Sequence, residues 1–239
     1  MALRTNTKLL LWELGCVFWV CFVGSTLHFA YELSDFWAPM ALVAAVNESI
    51  WEHLKIYFWP GLLYALAQYT YTRHIANNYW LGKFVALAVT PVAITFSYKA
   101  YMAWVVSGGH KTSVAAILII MFLGVLIGQM CSYRILTSPP VQWGTRRYVA
   151  GGYASLVFMF STFTFFPPKL PLFENYLCYQ YTGEYGILDD YEPYRIFRKP
   201  DEQVAGGGNS YATARTLMDL LLKMEEGSLV DEWSSRQLK

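Results

Sequence analysis

Val114–Leu136 reads VAAILIIMFLGVLIGQMCSYRIL, with no charged residue before Arg134. About 20 apolar residues in a helix, each rising about 1.5 Å, cover the roughly 30 Å hydrocarbon layer of a bilayer. A helix is required because lipid offers no partner to a free backbone amide or carbonyl. Working outward from this span, Tyr148–Phe166 is a second apolar run and stops at Pro167-Pro168. Upstream, Lys83–Val106 fits a span in which Pro91 should kink the helix and Lys99 must snorkel or pair. Leu9–Tyr31 fits another, despite Glu13 near its start.

The stretch between Tyr31 and Lys83 is less regular. Phe36–Val46 is apolar but too short to cross. Asn47, Glu48, Ser49, Glu52, His53 and Lys55 follow, and then Ile56–Tyr71 is apolar again. The pattern predicts a short re-entrant or interfacial helix leading into a membrane helix, with Pro60-Gly61 breaking the helix near the polar group. The expected fold is therefore all-α: a polytopic membrane helix bundle of about five transmembrane helices, with a small extramembrane C-terminal tail.

Composition agrees with that class. The 239 residues are 55% hydrophobic and 15% charged, against about 25% charged in soluble domains. Aromatic residues reach 18%, and Tyr and Trp favour the headgroup region. The net charge of +1 is unevenly spread. Up to Arg147 there are ten Lys/Arg and five Asp/Glu, leaving eight and twelve of the totals of 18 and 17 for the remainder. Neither part carries the dense basic run that nucleic acid requires. The partner that composition indicates is the lipid bilayer, with a membrane protein or a second copy of the chain left open.

With the N-terminus inside, the inner segments hold Arg4, Lys8, Arg73, Lys83, Arg134, Arg146 and Arg147, and the outer ones Lys55, Lys111 and Lys169. This bias predicts a cytoplasmic N-terminus, and five spans then put the C-terminal tail outside. The run Leu9–Leu27 resembles a secretory signal but exceeds the 7–15 residues of a signal core, so an uncleaved anchor is expected. Residues 1–173 form the expected bundle and 174–239 an acidic, Tyr-rich tail. In that tail Gly206-Gly207-Gly208 is expected to act as a hinge and Ser210 to cap a helix to Met224. Cys16, Cys21, Cys131 and Cys178 form no Cys-x-x-Cys pair and read as apolar filler.

Ionisable side chains at membrane depth are costly and tend to be functional. His28 and Glu32 are four apart and share a helix face. Glu48 and Glu52 are also four apart, as are Ser49 and His53. The topology puts both groups on the outer side, so His28, Glu32, Asn47, Glu48 and His53 are expected to line one cavity between the first two helices, with Glu52 beside them. These side chains can hold a proton, a small polar ligand or a cation. Imidazole and carboxylate also make His28, Glu32, Glu48 and His53 the metal-ligand set for a divalent ion. Their spacing matches neither the Glu-x-x-His of di-iron bundles nor His-Glu-x-x-His. A hydrogen-bonded clasp between helices would use the same residues without any chemistry.

The strings His28-Phe29-Ala30-Tyr31-Glu32, Ala38-Pro39 and Asn47-Glu48-Ser49-Ile50-Trp51-Glu52-His53-Leu54-Lys55 resemble a family of small prokaryotic multi-pass membrane proteins known as a domain of unknown function. Pro167-Pro168-Lys169-Leu170-Pro171-Leu172-Phe173 and Thr182-Gly183-Glu184-Tyr185-Gly186-Ile187 resemble its C-terminal end, so the likeness runs over residues 8–188. It implies a helical fold and a membrane location, and no activity. Three classes stay open: a transporter-like protein, a membrane-embedded metal-dependent or acid–base enzyme, and an accessory subunit of a larger complex.

Overall fold

The computed structural model describes residues 4–141, 145–168 and 170–173. These residues form five α-helices and a short 3₁₀ helix, with no strand among them: α1 Thr5–Leu33, the 3₁₀ turn Ala38–Leu42, α2 Ile50–Thr72, α3 Tyr79–Gly108, α4 Val114–Leu136 and α5 Thr145–Thr162. The expected tail helix, Cys178 and residues 174–239 lie outside the described residues.

Three of the five helices, α1, α3 and α4, are long and apolar enough to cross a membrane, fewer than the five expected. The other two fall short for visible reasons. α2 carries Glu52, His53 and Lys55 in its first turns and Gln68, Thr70 and Thr72 in its last. α5 has only 18 residues, with Arg146 and Arg147 in its first turn. The spanning windows of α1, α3 and α4 are only 28–33% buried. The outer surface is accordingly apolar, with Phe18, Phe22, Leu63, Val92, Phe96, Leu118 and Phe158 exposed.

Helices α1 to α4 pack as a closed ring, each against the next and α4 back against α1. The α3–α4 pair is the most extensive, and small residues make it possible. Gly124, Gly128 and Ser132 recur every four residues along α4, which keeps them on one face. A Cβ on Gly128 would sit 2.9 Å from the Ala86 carbonyl oxygen, so the two backbones touch where only glycine fits. Helix α5 packs on α3 and reaches α2 through aromatic rings. Phe160 stacks between Trp51 and Phe58, with centroids 4.6 and 4.4 Å away.

Two loops close the ring. At one end, Asn78 bonds the Pro139 carbonyl (2.8 Å) and accepts from Val141 N–H (2.8 Å), tying the α2–α3 turn to the α4–α5 turn. Asn78 adopts φ +48°, which asparagine tolerates better than most residues. At the other end, the chain after α1 turns sharply through Asp35 and Phe36, both with positive φ. Pro39, near the start of the 3₁₀ turn, suits its first positions. The segment then folds back, and Ala45 N–H reaches the Leu27 carbonyl of α1 at 3.4 Å.

One expectation fails here. Helix α2 runs unbroken through Pro60, as α3 does through Pro91. A proline removes one backbone bond, but neighbouring helices can hold the turn together. Trp19 Nε1 donates to the Pro60 carbonyl at 3.2 Å.

Candidate metal centre

The residue string 47–55 forms a tight turn that leads into α2. Asn47 Oδ1 accepts from Ser49 N–H (3.0 Å), and Ser49 Oγ caps the helix by accepting from Glu52 N–H (3.3 Å). Glu48 lies in this turn, before the helix starts at Ile50. It therefore shares no helical face with Glu52, contrary to the sequence spacing. Two consecutive helical residues, Glu52 and His53, point about 100° apart, and they serve different clusters.

His53 points toward α1. Its Nδ1 lies 2.8 Å from the Ser49 carbonyl. A carbonyl only accepts, so Nδ1 carries the proton and Nε2 presents a lone pair. That Nε2 lies 3.1 Å from His28 Nε2. Glu48 bridges the two rings, with Oε2 3.4 Å from His53 Nε2 and Oε1 3.7 Å from His28 Nε2. One ligand atom from each of His28, Glu48 and His53 lies within 4.8 Å of the others. All three side chains are about one-fifth exposed.

Two states fit this geometry. In one, His28 Nε2–H donates to His53 Nε2 as a single hydrogen bond. In the other, both lone pairs face a cation. With zinc bonds of about 2.0–2.1 Å and tetrahedral angles, ligand atoms stand about 3.3 Å apart. The two imidazole nitrogens, 3.1 Å apart, come close to that value, and Glu48 reaches each of them with a different oxygen, at 3.4 and 3.7 Å. Two histidines and one carboxylate are a donor set suited to zinc or ferrous iron, and leave coordination positions open.

The other sequence candidates sit elsewhere. Asn47 shapes the turn that delivers Glu48. Glu32 lies one turn beyond His28 on α1. Its Oε2 and His28 Nδ1 are buried without a hydrogen-bond partner among the described residues. Glu52 faces away into a buried knot. It pairs with Lys55, accepts from Val46 N–H (3.1 Å) and accepts from Thr164 Oγ1 (2.8 Å). Lys55 also donates to the Ala41 carbonyl (2.7 Å) and to Thr164 Oγ1 (2.9 Å), which uses all three of its N–H bonds. This knot fastens the folded-back segment to α2 and to the end of α5, and so holds Glu48 in place.

The sequence reading did not single out a second buried group. Lys83 Nζ lies 2.6 and 2.7 Å from the two oxygens of Glu13. Gln68 Nε2 donates to Glu13 Oε1 (2.8 Å), and Gln129 Oε1 lies 3.4 Å from Lys83 Nζ. The four residues come from α1, α2, α3 and α4 and are at most 4% exposed. A signal was available, since Glu13 and Lys83 each sit near the N-terminal end of a long apolar helix and carry opposite charges.

No curated protein and no solved structure matches the chain. A model of a family of unknown function, DUF6512, matches residues 1–187, a stretch that contains every residue of both buried groups and of the histidine site. The chain belongs to this family.

Proposed function

We propose that the protein is a five-span membrane protein that binds a divalent transition-metal ion of the zinc class through His28, Glu48 and His53. The observation that carries this reading is the pair of imidazole nitrogens 3.1 Å apart with the Glu48 carboxylate straddling them, Oε2 3.4 Å from His53 and Oε1 3.7 Å from His28. Lone pairs held this close repel each other unless a proton or cation lies between them. The Ser49 carbonyl fixes the His53 tautomer with Nε2 free, and such an orienting partner is characteristic of metal-bound histidines.

The membrane part of the proposal extends beyond α1, α3 and α4 to α2 and α5. Helix α2 has 23 residues, about 34 Å of rise. Its charged residues Glu52 and Lys55 are buried and paired, so they do not face lipid. The 18 residues of α5 cover about 27 Å. The Lys/Arg distribution supports a cytoplasmic N-terminus, with the metal site and the tail that follows residue 173 on the outer side.

Two experiments test this. Zinc titration of the purified full chain should give one site per chain, lost in His28→Ala and in His53→Ala. No binding, or binding that both variants retain, would leave the hydrogen-bonded clasp as the account of these residues. Single-cysteine labelling should reach the tail from outside only, and labelling from the cytoplasm alone would overturn the orientation.

A further inference from the structure

The buried group at Glu13 is more than an isolated ion pair. Gln68 Oε1 and Ser132 Oγ are buried with no hydrogen-bond partner among the described residues. Ser132 stands across from Gly82, next to Lys83 in the chain. Buried polar atoms are nearly always satisfied, and where protein offers no partner, ordered water does. Gln68 Oε1 shares an amide with the Nε2 that bonds Glu13, so water held there lies beside the carboxylate.

A cavity of about 10 Å³, room for about one water, lies among α1 to α4. Val20, Tyr57, Thr90, Pro91 and Gln129 are in its wall. Gln129 belongs to both places, since its Oε1 also faces Lys83 at 3.4 Å. Leu87 is in the wall too. Pro91 has no N–H to bond the carbonyl four residues back, which is that of Leu87. Pro60 does the same to Ile56. Helices α2 and α3 thus each carry an acceptor without its helical donor midway along the bundle. Glu13 and Gln68 are each fifteen residues from the outer ends of α1 and α2 marked by His28 and His53, roughly 22 Å of helix.

We propose that the α1–α4 bundle is a proton path, with the Glu13–Lys83 pair as the site where the proton is held and the central cavity as its water relay. This goes beyond the metal site and uses none of its residues. A proton reaching the Glu13 carboxylate makes it a neutral acid and loosens Lys83, which turns to Gln129. Release of one proton to the opposite side restores the carboxylate and the pair, so one proton enters and one leaves. The other titratable groups near Glu13 are Cys16 on α1, Tyr64 on α2 and Tyr79 on α3. Both phenols donate to backbone carbonyls, Tyr64 to Trp12 (2.9 Å) and Tyr79 to Ala65 (2.6 Å), and so leave the carboxylate to Lys83 and Gln68. From α4 the group facing the pair is the uncharged Gln129.

The test uses the full chain in liposomes with a pH dye inside and a potassium diffusion potential as the driving force. Wild type should acidify the lumen at least about tenfold faster than empty liposomes, and Glu13→Gln should abolish the difference. Because that variant strands Lys83, the double variant Glu13→Leu/Lys83→Met is measured beside it. It removes both charges, and its folding is checked by size-exclusion profile and melting temperature. A folded double variant without proton flux upholds the path. A folded double variant that conducts like wild type, or a wild type no faster than empty liposomes, overturns it. Zinc binding measured in the same preparations separates the two readings, since a protein that binds zinc at His28 and His53 but moves no protons refutes only this one.

Discussion

Replacing Glu13 with leucine leaves the Lys83 ammonium buried at 2% exposure with, among the described residues, Gln129 Oε1 as its remaining hydrogen-bond partner, at 3.4 Å. Removing one partner of a buried pair typically costs about 3–5 kcal/mol. Gln68 Nε2 also loses its acceptor, which adds about 1–3 kcal/mol unless water replaces it. For a chain of this size about 1 kcal/mol moves the melting temperature by about 2–4 °C, so the stranded charge alone should make Glu13→Leu lower it by roughly 6–20 °C. Adding Lys83→Met removes the uncompensated charge and should recover most of that loss, because buried pairs often exchange for apolar residues at little cost. The assay is thermal unfolding of the detergent-solubilised protein, followed by tryptophan fluorescence and by the monodisperse fraction after heating. A single variant melting within about 3 °C of wild type, or a double variant losing the sum of the two singles, would refute the reasoning.

Other consequences follow from the same geometry. Zinc affinity should fall as pH is lowered, because a protonated imidazole has no lone pair to give; isothermal titration at several pH values should show proton release on binding, and a flat profile would contradict histidine ligation. Gly128→Ala should destabilise by about 1–3 kcal/mol through overpacking, since its Cβ would press on the Ala86 carbonyl at 2.9 Å; unchanged melting would mean that α3 and α4 do not pack this closely. Lys55→Met should leave Glu52 buried without its cation and loosen the segment 38–49, which hydrogen exchange of that segment would report, together with weaker zinc binding through a displaced Glu48.

The helical class was legible because apolar runs of bilayer length state it directly, as in Val114–Leu136. The approach of His28 to His53 was legible in outline, since two helix ends joined by a short loop must share one side of the bundle. The division of labour within residues 47–55 was not. Sequence spacing puts Glu48 and Glu52 four apart, but Asn47 and Ser49 use their side chains to build a turn and a cap, which delays the helix until Ile50. Glu48 therefore leaves the helical register and reaches the histidines, while Glu52 turns into the Lys55–Thr164 knot. The Glu13–Lys83 pair was hidden for another reason. Lys83 reads as a loop residue at the start of a span, and only the packing of α1 across the ring from α3 brings it to Glu13. Pro60 misleads in the opposite sense, because neighbours across the bundle sustain a helix that local chemistry would break.

The most direct measurement of the central claim is zinc X-ray absorption on the purified protein loaded with one equivalent of metal. The account predicts a first shell of two imidazole nitrogens at about 2.0–2.1 Å and at least one oxygen at about 2.0–2.2 Å, with the imidazole scattering reduced in His53→Ala. Sulfur in the first shell at about 2.3 Å, which would implicate the cysteines, or a shell of oxygen alone that His53→Ala leaves unchanged, would contradict it.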